Sequence, residues 1–458
     1  MMNVTSGNIH FTRKTDRAVY ISSTLARQLK LRGKRTIDVH LGGKSVTAMI
    51  KPLSRKGKHI WLPLALKEAI RAPKAGQVYV ASTEHGNAMR LGPLIGVLTS
   101  GGGPLLRPFG TRTGLIREIL RSSVGKAYAF AFTPRDISWE QNTVLGYFAN
   151  PEGGWSRRTV PMPDVIYNRL ASRSADASPR MEYLKSRFLR KNIPIFNWSF
   201  YNKWDVYRML EGESDAYKYI PDSTINPTPE RLKEMLQRHR SIYLKPTAGS
   251  LGKGIYRVSY TPRKGYLVRF RRHGYNALVR YHTLKSLIHR LGAQRDRWRN
   301  YVAQKGIKLI EMDGSPIDFR FHLVRDGSNK WVVAGIGAKR AGKGSVTTHL
   351  RNGGTLMIPL HALGHVFGDR ATELLQRMKE VSIKLAEAIQ RNSRHHIGEL
   401  GFDLGIDTSE DIWMFEANSK PGRSIFKHPS LKDEGRLALS LLYNHCLYLA
   451  KFRKKGSS

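Results

Sequence analysis

The sequence predicts a mixed α/β protein made of a small β-rich leading unit, an α/β unit and a larger α+β unit. Three observations carry this reading. Residues 1–91 hold a weak internal repeat; from Gly92 apolar strand patterns alternate with helices; and beyond residue 191 strand, helix and hairpin signals mix, closing on a hairpin pattern at Gly401–Arg423. At 458 residues the chain has room for two to four domains, each with its own core.

In the leading unit, Val19–Gly33 (VYISSTLARQLKLRG) matches Ile60–Lys74 (IWLPLALKEAIRAPK), so that Ile21, Leu25, Leu29 and Leu31 fall on Leu62, Leu66, Ile70 and Ala72. Each copy reads as a short strand, a Ser or Pro helix start, a brief helix and a turn into a further strand, at Thr36–Leu41 and Val78–Ala81. Two such halves can interlock as a small barrel.

The unit over 92–190 opens with a buried-strand pattern at Pro93–Ser100, followed by a helix at Thr111–Ser122 and a second apolar strand at Ala127–Thr133. Gly101, Gly102 and Gly103 lack both the spacing of a dinucleotide fingerprint and its acidic residue, so they read as a loop shaping a ligand cleft at a strand end. In the unit over 191–450, Thr228–His239 is a helix, Ser241–Pro246 a strand, Gly249–Gly254 a glycine loop and Ile255–Tyr260 the returning strand. Ala371, Leu374, Met378, Val381, Leu385 and Ala388 form the core stripe of a long amphipathic helix. Residues 451–458 are a basic frayed tail.

Composition narrows the function classes. Hydrophobic residues at 40% describe a folded chain, not a disordered or fibrous one. No stretch approaches the roughly 18 apolar residues of a membrane span, and the start, MMNVTSGNIHF, lacks signal-peptide features, which predicts a cytoplasmic protein without a membrane partner. Cys446 is the single cysteine, excluding a disulfide framework; among Leu441, Leu442, Leu447 and Leu449 it reads as a packing residue. The 77 Lys plus Arg against 35 Asp plus Glu give a net charge of +42. Such a field draws nucleotides, nucleic acid, acidic peptides or anionic polymers without choosing among them.

The chemistry concentrates in Gly401–Arg423, GFDLGIDTSEDIWMFEANSKPGR. A hairpin looping through Thr408–Asp411 sets Asp407 opposite Ile412, and counting back brings Asp403 opposite Glu416. Opposed carboxylates repel unless a cation or a shifted pKa relieves them. Asn418, two residues on, adds a neutral oxygen on the same face. Two carboxylates and an amide oxygen are hard ligands suited to Mg²⁺ carrying substrate phosphates; the alternative is a one-residue slip that turns one carboxylate to solvent. In Tyr243–Ile255, YLKPTAGSLGKGI, Lys245 ends a strand before Gly249, Gly252 and Gly254, whose backbone can approach phosphate oxygens, although the Walker A spacing is absent.

The order K-P-x-x-G-S-x-G-K-G, Q-K-G-I, D-F-R, G-F-D-L and E-x-N-x-x-P-G resembles the glutathione-synthetase-like ATP-grasp superfamily. More closely, it is similar to the YheC/YheD family of endospore coat-associated ATP-grasp proteins, over roughly Gly92–Arg423, and the N-terminal repeat resembles that family's leading region. The resemblance implies a two-lobed ATP-grasp fold over 191–450 with a hinge near 302–308, preceded by a Rossmann-like domain. It implies ATP with Mg²⁺, or Mn²⁺ in its place. Lys245, Lys203 and the loop of Gly249, Ser250, Gly252 and Gly254 would hold phosphates. Gln304, Lys305 and Ile307 would hold adenine. Asp318 and Arg320 form an Asp-x-Arg strand, with Arg320 facing phosphate or a carboxylate substrate, and Asp403, Glu416 and Asn418 match the magnesium triad.

The family's usual asparagine is replaced by His349, with Asn352 three residues on, and either residue, or neither, serves the site. Lys420 either meets an anion or is solvated. His395 and His396 read as a solvated loop. Arg263–Arg299 carries eleven Lys or Arg against Asp296, interleaved with Tyr266, Phe270, Tyr275, Tyr281 and Trp298; this suits a single-stranded nucleic-acid surface less well than a half-buried strand face. The expected activity is an ATP-dependent carboxylate–amine ligase working through an acyl phosphate on carboxylate and amine substrates, with an acidic peptide or polymer among the candidates. The alternatives are a spore coat-associated binding protein with a non-catalytic nucleotide site, partnered by coat components, and a polyanion or nucleic-acid binder.

Overall fold

The computed structural model describes residues 2–247, 254–272, 275–291, 298–348 and 353–452. Its strands form four sheets, the first of them a closed seven-stranded barrel. In the barrel the two repeat copies exchange every partner. Asn3–Thr12 runs parallel to His59–Pro63 as Lys44–Leu53 does to Ala18–Ser22, and Thr36–Leu41 runs antiparallel to Lys44–Leu53 as Gly76–Ser82 does to Asn3–Thr12. Ala88–Gly92 closes the ring. Leu25, Leu29 and Leu31 of one copy and Leu66, Ile70 and Ala72 of the other are buried in its core. Lys30 and Arg71, equivalent in the repeat, share a left-handed backbone at φ 55 and 54.

The second sheet centres on four parallel strands, Tyr128–Phe132, Leu94–Leu98, Val165–Asn168 and Ile195–Phe196. Leu94–Leu98 and Tyr128–Phe132 are buried throughout, as strands covered on both faces must be. The helix Thr113–Arg121 packs on the sheet, and Gly101–Gly103 follow the carboxyl end of Leu94–Leu98. The C-terminal helix Lys432–Leu449 returns to this unit, where Tyr443 Oη donates to the Ile119 carbonyl at 2.6 Å. Cys446 is buried there as a packing residue.

Two further sheets flank a cleft. One is ordered Ser223–Ile225, Tyr301–Lys305, Ser241–Pro246, Tyr256–Thr261, Gly265–Arg272 and Tyr275–Tyr281. The other is ordered Thr355–Met357, Trp331–Arg340, Ser315–Arg325, Glu399–Ile406 and Ile412–Asn418. The helix Ala371–Arg391 buries its whole stripe from Ala371 to Ala388 against the second of these.

In the first of the two, alternation sorts the basic–aromatic segment by face. Tyr256, Tyr260, Tyr266, Phe270 and Tyr281 pack with Val258, Val268 and Trp298 in one apolar cluster. Arg257 and Arg269, directly opposite each other, lie on the other face with Tyr243.

Two expectations change, and one open alternative is decided. The hairpin sets Ile406, not Asp407, opposite Ile412. Asp407 instead ties the turn, accepting from the Ser409 and Asp411 amides and from Trp413 Nε1. His395 and His396 are not a solvated loop: His395 stacks on Trp198 with centroids 3.8 Å apart, and His396 bonds His445 at 2.8 Å. Lys420 is buried and meets an anion of its own chain, Asp176, at 2.6 Å. No helix among the described residues is long and apolar enough to cross a membrane.

Candidate nucleotide and metal site

Cross-strand register assembles the site on one sheet face. Arg320 lies opposite Asp403, Asp403 opposite Glu416, Asp318 opposite Lys339, and Gly401 opposite Asn418. The Asp403–Glu416 opposition arises through a bulge: Leu404 pairs with Met414, so Phe415 is the extra residue on its strand.

Asp403 is fully engaged. Arg320 grips it bidentately, Nε to Oδ1 at 2.8 Å and Nη2 to Oδ2 at 2.7 Å, and Lys339 Nζ adds a bond to Oδ1 at 2.8 Å. Burial alone would raise its carboxyl, but Arg320 and Lys339 outweigh it and hold the group far below the usual carboxylate range. Lys339 also reaches Asp318 Oδ1 at 2.9 Å, and Thr348 donates to Asp318 Oδ2. Burial raises the Asp318 carboxyl, Lys339 opposing and Asp403 reinforcing the shift.

Glu416 and Asn418 are only partly buried, and Lys203 Nζ lies 3.4 Å from Glu416 Oε2. Lys203 opens the helix Lys203–Glu211, whose cap is Asn202 accepting from the Asp205 amide at 2.8 Å. Lys245, on the facing sheet, donates to Gln304 Oε1 at 2.6 Å and sits 5.3 Å from the ring centre of Phe415. Burial, then Lys203, pull its ammonium down to about 8. Gln304 is buried and donates onward to Tyr207 Oη at 2.7 Å and Ser223 Oγ at 3.1 Å, so its side chain braces Lys245.

The chain passes between the sheets after Lys305: Gly306 N donates to the Ser241 carbonyl and Ile310 N to the Ile406 carbonyl. Lys305 Nζ lies 5.0 Å from the ring centre of Trp413 on the edge strand of the sheet that carries Asp403. Ile307 is half-buried at this crossing. Gly254 holds φ 71, and its carbonyl accepts from Tyr301 Oη at 3.1 Å. Gly249, Ser250, Gly252, His349 and Asn352 lie outside the described residues.

The structure thus brings Asp318, Arg320, Asp403, Glu416, Asn418, Lys203 and Lys245 into one cleft. The donor set fits Mg²⁺ through its chemistry: hard oxygens from two carboxylates and an amide, ringed by cations. Among the described residues no three His, Cys, Asp or Glu side chains converge as a self-sufficient metal cage. A phosphate-borne cation needs none.

Lys339, Thr348, Tyr207 and Phe415 were not evident from sequence. Lys339 was hidden by a second irregularity, between His322 and Leu323: counting from Arg325 opposite Trp331 puts Asp318 opposite Ala338, one residue short.

Behind the triad, buried polar groups tie its strand to the second unit. Lys420 pairs with Asp176, and burial draws its ammonium down to about 7, Asp176 opposing. Asn197 Nδ2 donates to the carbonyls of Glu399 and Ser419, and Arg169 donates to the carbonyl of Pro421 at 3.1 Å and to Glu399 at 3.3 Å. Burial would raise the Glu399 carboxyl, but His322 and Arg169 bring it down to about 2.

A YheC/D-like ATP-grasp family model matches residues 192–449. Endospore coat-associated protein YheD of Bacillus subtilis is 34% identical over 80% of this chain and 81% of its own length. Endospore coat-associated protein YheC of the same organism is 22% identical over 69% and 87%. The solved VanG D-Ala:D-Ser ligase of Enterococcus faecalis is similar at 12% identity and a TM-score of 0.46, over 78% of this chain and 99% of its own, a likeness too slight to bear on chemistry. With its matched region and its Asp403, Glu416 and Asn418 hairpin facing Lys245 across a two-sheet cleft, the chain belongs to the YheC/D-like ATP-grasp family.

Proposed function

We propose that the protein is an ATP-dependent carboxylate–amine ligase associated with the bacterial endospore. The observation that carries this is the convergence of Lys203, Lys245, Arg320 and Lys339 on a cleft floored by Asp403, Glu416 and Asn418. Asp403, Glu416 and Asn418 would hold Mg²⁺, which neutralises phosphate charge and polarises the γ-phosphoryl group. Lys245 and Lys203 bind phosphate oxygens, and the segment through Lys305 and Ile307 holds adenine. Arg320 and Lys339, positioned by Asp403 and Asp318, steady a carboxylate whose oxygen attacks the γ-phosphorus. ADP leaves, and an amine displaces phosphate from the acyl phosphate to give the amide. Positioning and charge neutralisation supply most of the acceleration in phosphoryl transfer.

A second reading is a coat-associated binding protein that holds nucleotide without turnover. The names of both curated relatives and the net charge of +42 favour it. Release of ADP and phosphate is measured with the full chain, ATP and Mg²⁺, with amino acids, peptides or acidic polymers added. The ligase reading expects release only when a substrate is added. Tight nucleotide binding without release under any addition supports the binding protein, and no nucleotide binding overturns both.

A further inference from the structure

The leading barrel carries a charge that the nucleotide cleft does not use. Residues 1–91 hold 17 Lys or Arg against 4 Asp or Glu. Among the described residues, two of those cations, Lys51 and Arg90, pair with a carboxylate. At the seam with the second sheet, a hollow of about 390 Å³ is lined by Lys44, Lys67, Arg71 and Arg158, with Glu68 the one acid. Its walls are fixed: the Gly43 amide donates to the Met162 carbonyl at 2.8 Å, and the Arg158 guanidinium to the Pro73 carbonyl.

Lys74, half-buried beside Pro73, is pulled below its ordinary value by burial and then by Arg158. Among the described residues none of these five cations forms an ion pair. Basic residues at a helix end often just answer its carbonyls, and Lys67 and Arg71 close the helix Leu64–Ala69. Lys44 and Arg158 are not part of that helix: they arrive from the strand Lys44–Leu53 and from the strand Trp155–Pro161 of the second sheet.

We infer that this seam is a binding site for a multivalent phosphate-bearing anion, separate from the nucleotide cleft. Arginine forks and lysine point charges together suit phosphate oxygens. A phosphate monoester brings about −1.5 to −2 charge per group, nearer than a carboxylate to what five clustered cations leave uncompensated. The hollow falls within the range of roughly 300–1,000 Å³ of small-ligand pockets.

The test is amine labelling of the full chain read lysine by lysine by mass spectrometry, with tripolyphosphate as probe and a heptaglutamate peptide as the carboxylate arm. At ten times its dissociation constant, tripolyphosphate should slow labelling of Lys44, Lys67 and Lys74 together by about tenfold. Lys14 and Lys58 are the controls, and Lys203 and Lys245 report the cleft independently. Arg158→Gln and Arg71→Gln, each checked for an unchanged melting curve, should lose the protection at the seam. No slowing at the seam, equal slowing at the controls, equal protection by heptaglutamate, or protection that survives in both variants would overturn the inference.

Discussion

Lys245 provides the strictest test of the phosphate site. Its ammonium, lowered to about 8 by burial and Lys203, is charged at pH 7. A bound triphosphate favours the charged form and returns the group toward about 10.5. The sign follows: below pH 8 the free protein already carries the proton and affinity is level. Above it, binding must first take up a proton, and affinity falls by up to about tenfold per pH unit until the bound-state value is reached. Between pH 7 and 9 the expected weakening is about tenfold, or about 1.4 kcal/mol. Calorimetric titration with a non-hydrolysable ATP analogue and excess Mg²⁺ measures it, and buffers of different ionisation enthalpy count the proton directly. Lys245→Met should bind more weakly with a level profile. A level wild-type profile, or an unchanged slope in Lys245→Met, refutes the assignment.

Glu416→Gln should abolish the gain in nucleotide affinity that Mg²⁺ confers, and analogue titrations with and without Mg²⁺ decide it. Asp176→Asn leaves the buried Lys420 ammonium without a carboxylate, and Lys420, already near 7, escapes by losing its proton. Asp176 also lies 3.6 Å from the buried Lys185 and accepts from Asn168, so part of the cost is independent of pH; the Lys420 part grows by up to about 1.4 kcal/mol per unit below pH 7, and urea unfolding showing no such growth contradicts the ion-pair account. His396 is drawn by burial to about 4, so the unfolded chain takes up the proton first. Stability should fall between pH 6.5 and 4 by at most about 3 kcal/mol, and His396→Phe should flatten that part of an acid melt.

Local pattern made much of this molecule legible, and distance in sequence hid the rest. The repeat of residues 1–91 shows because matched apolar positions fill one barrel. The opposition of Asp403 and Glu416 was read correctly from a turn that was read wrongly. The strands pair one residue earlier at Ile406, and the bulge at Phe415 restores the offset. Lys339 stayed hidden because a single bulge moves its partner. His396 looked solvated, and Lys420 stayed open between an anion and solvent, because their partners, His445 and Asp176, lie 49 and 244 residues away; a buried pair of that span leaves no periodic trace.

The bulge also explains how neighbouring residues serve one cleft. In a regular strand consecutive side chains face opposite ways, yet the Phe415 ring lies near Lys245 while Glu416 faces Lys203. Gly405 makes the room: a Cβ there would stand 2.6 Å from the Phe415 ring and 2.4 Å from Leu309. Gly405→Ala should therefore cost about 1–3 kcal/mol through overpacking and displace the ring, weakening nucleotide binding. Phe415→Ala empties the same space. Combined with Gly405→Ala it should cost less than the sum of the two, by at least about 0.5 kcal/mol. Urea unfolding of the four proteins measures that coupling. Strict additivity would show that the glycine does not exist to seat the ring, leaving the bulge without its function in the cleft.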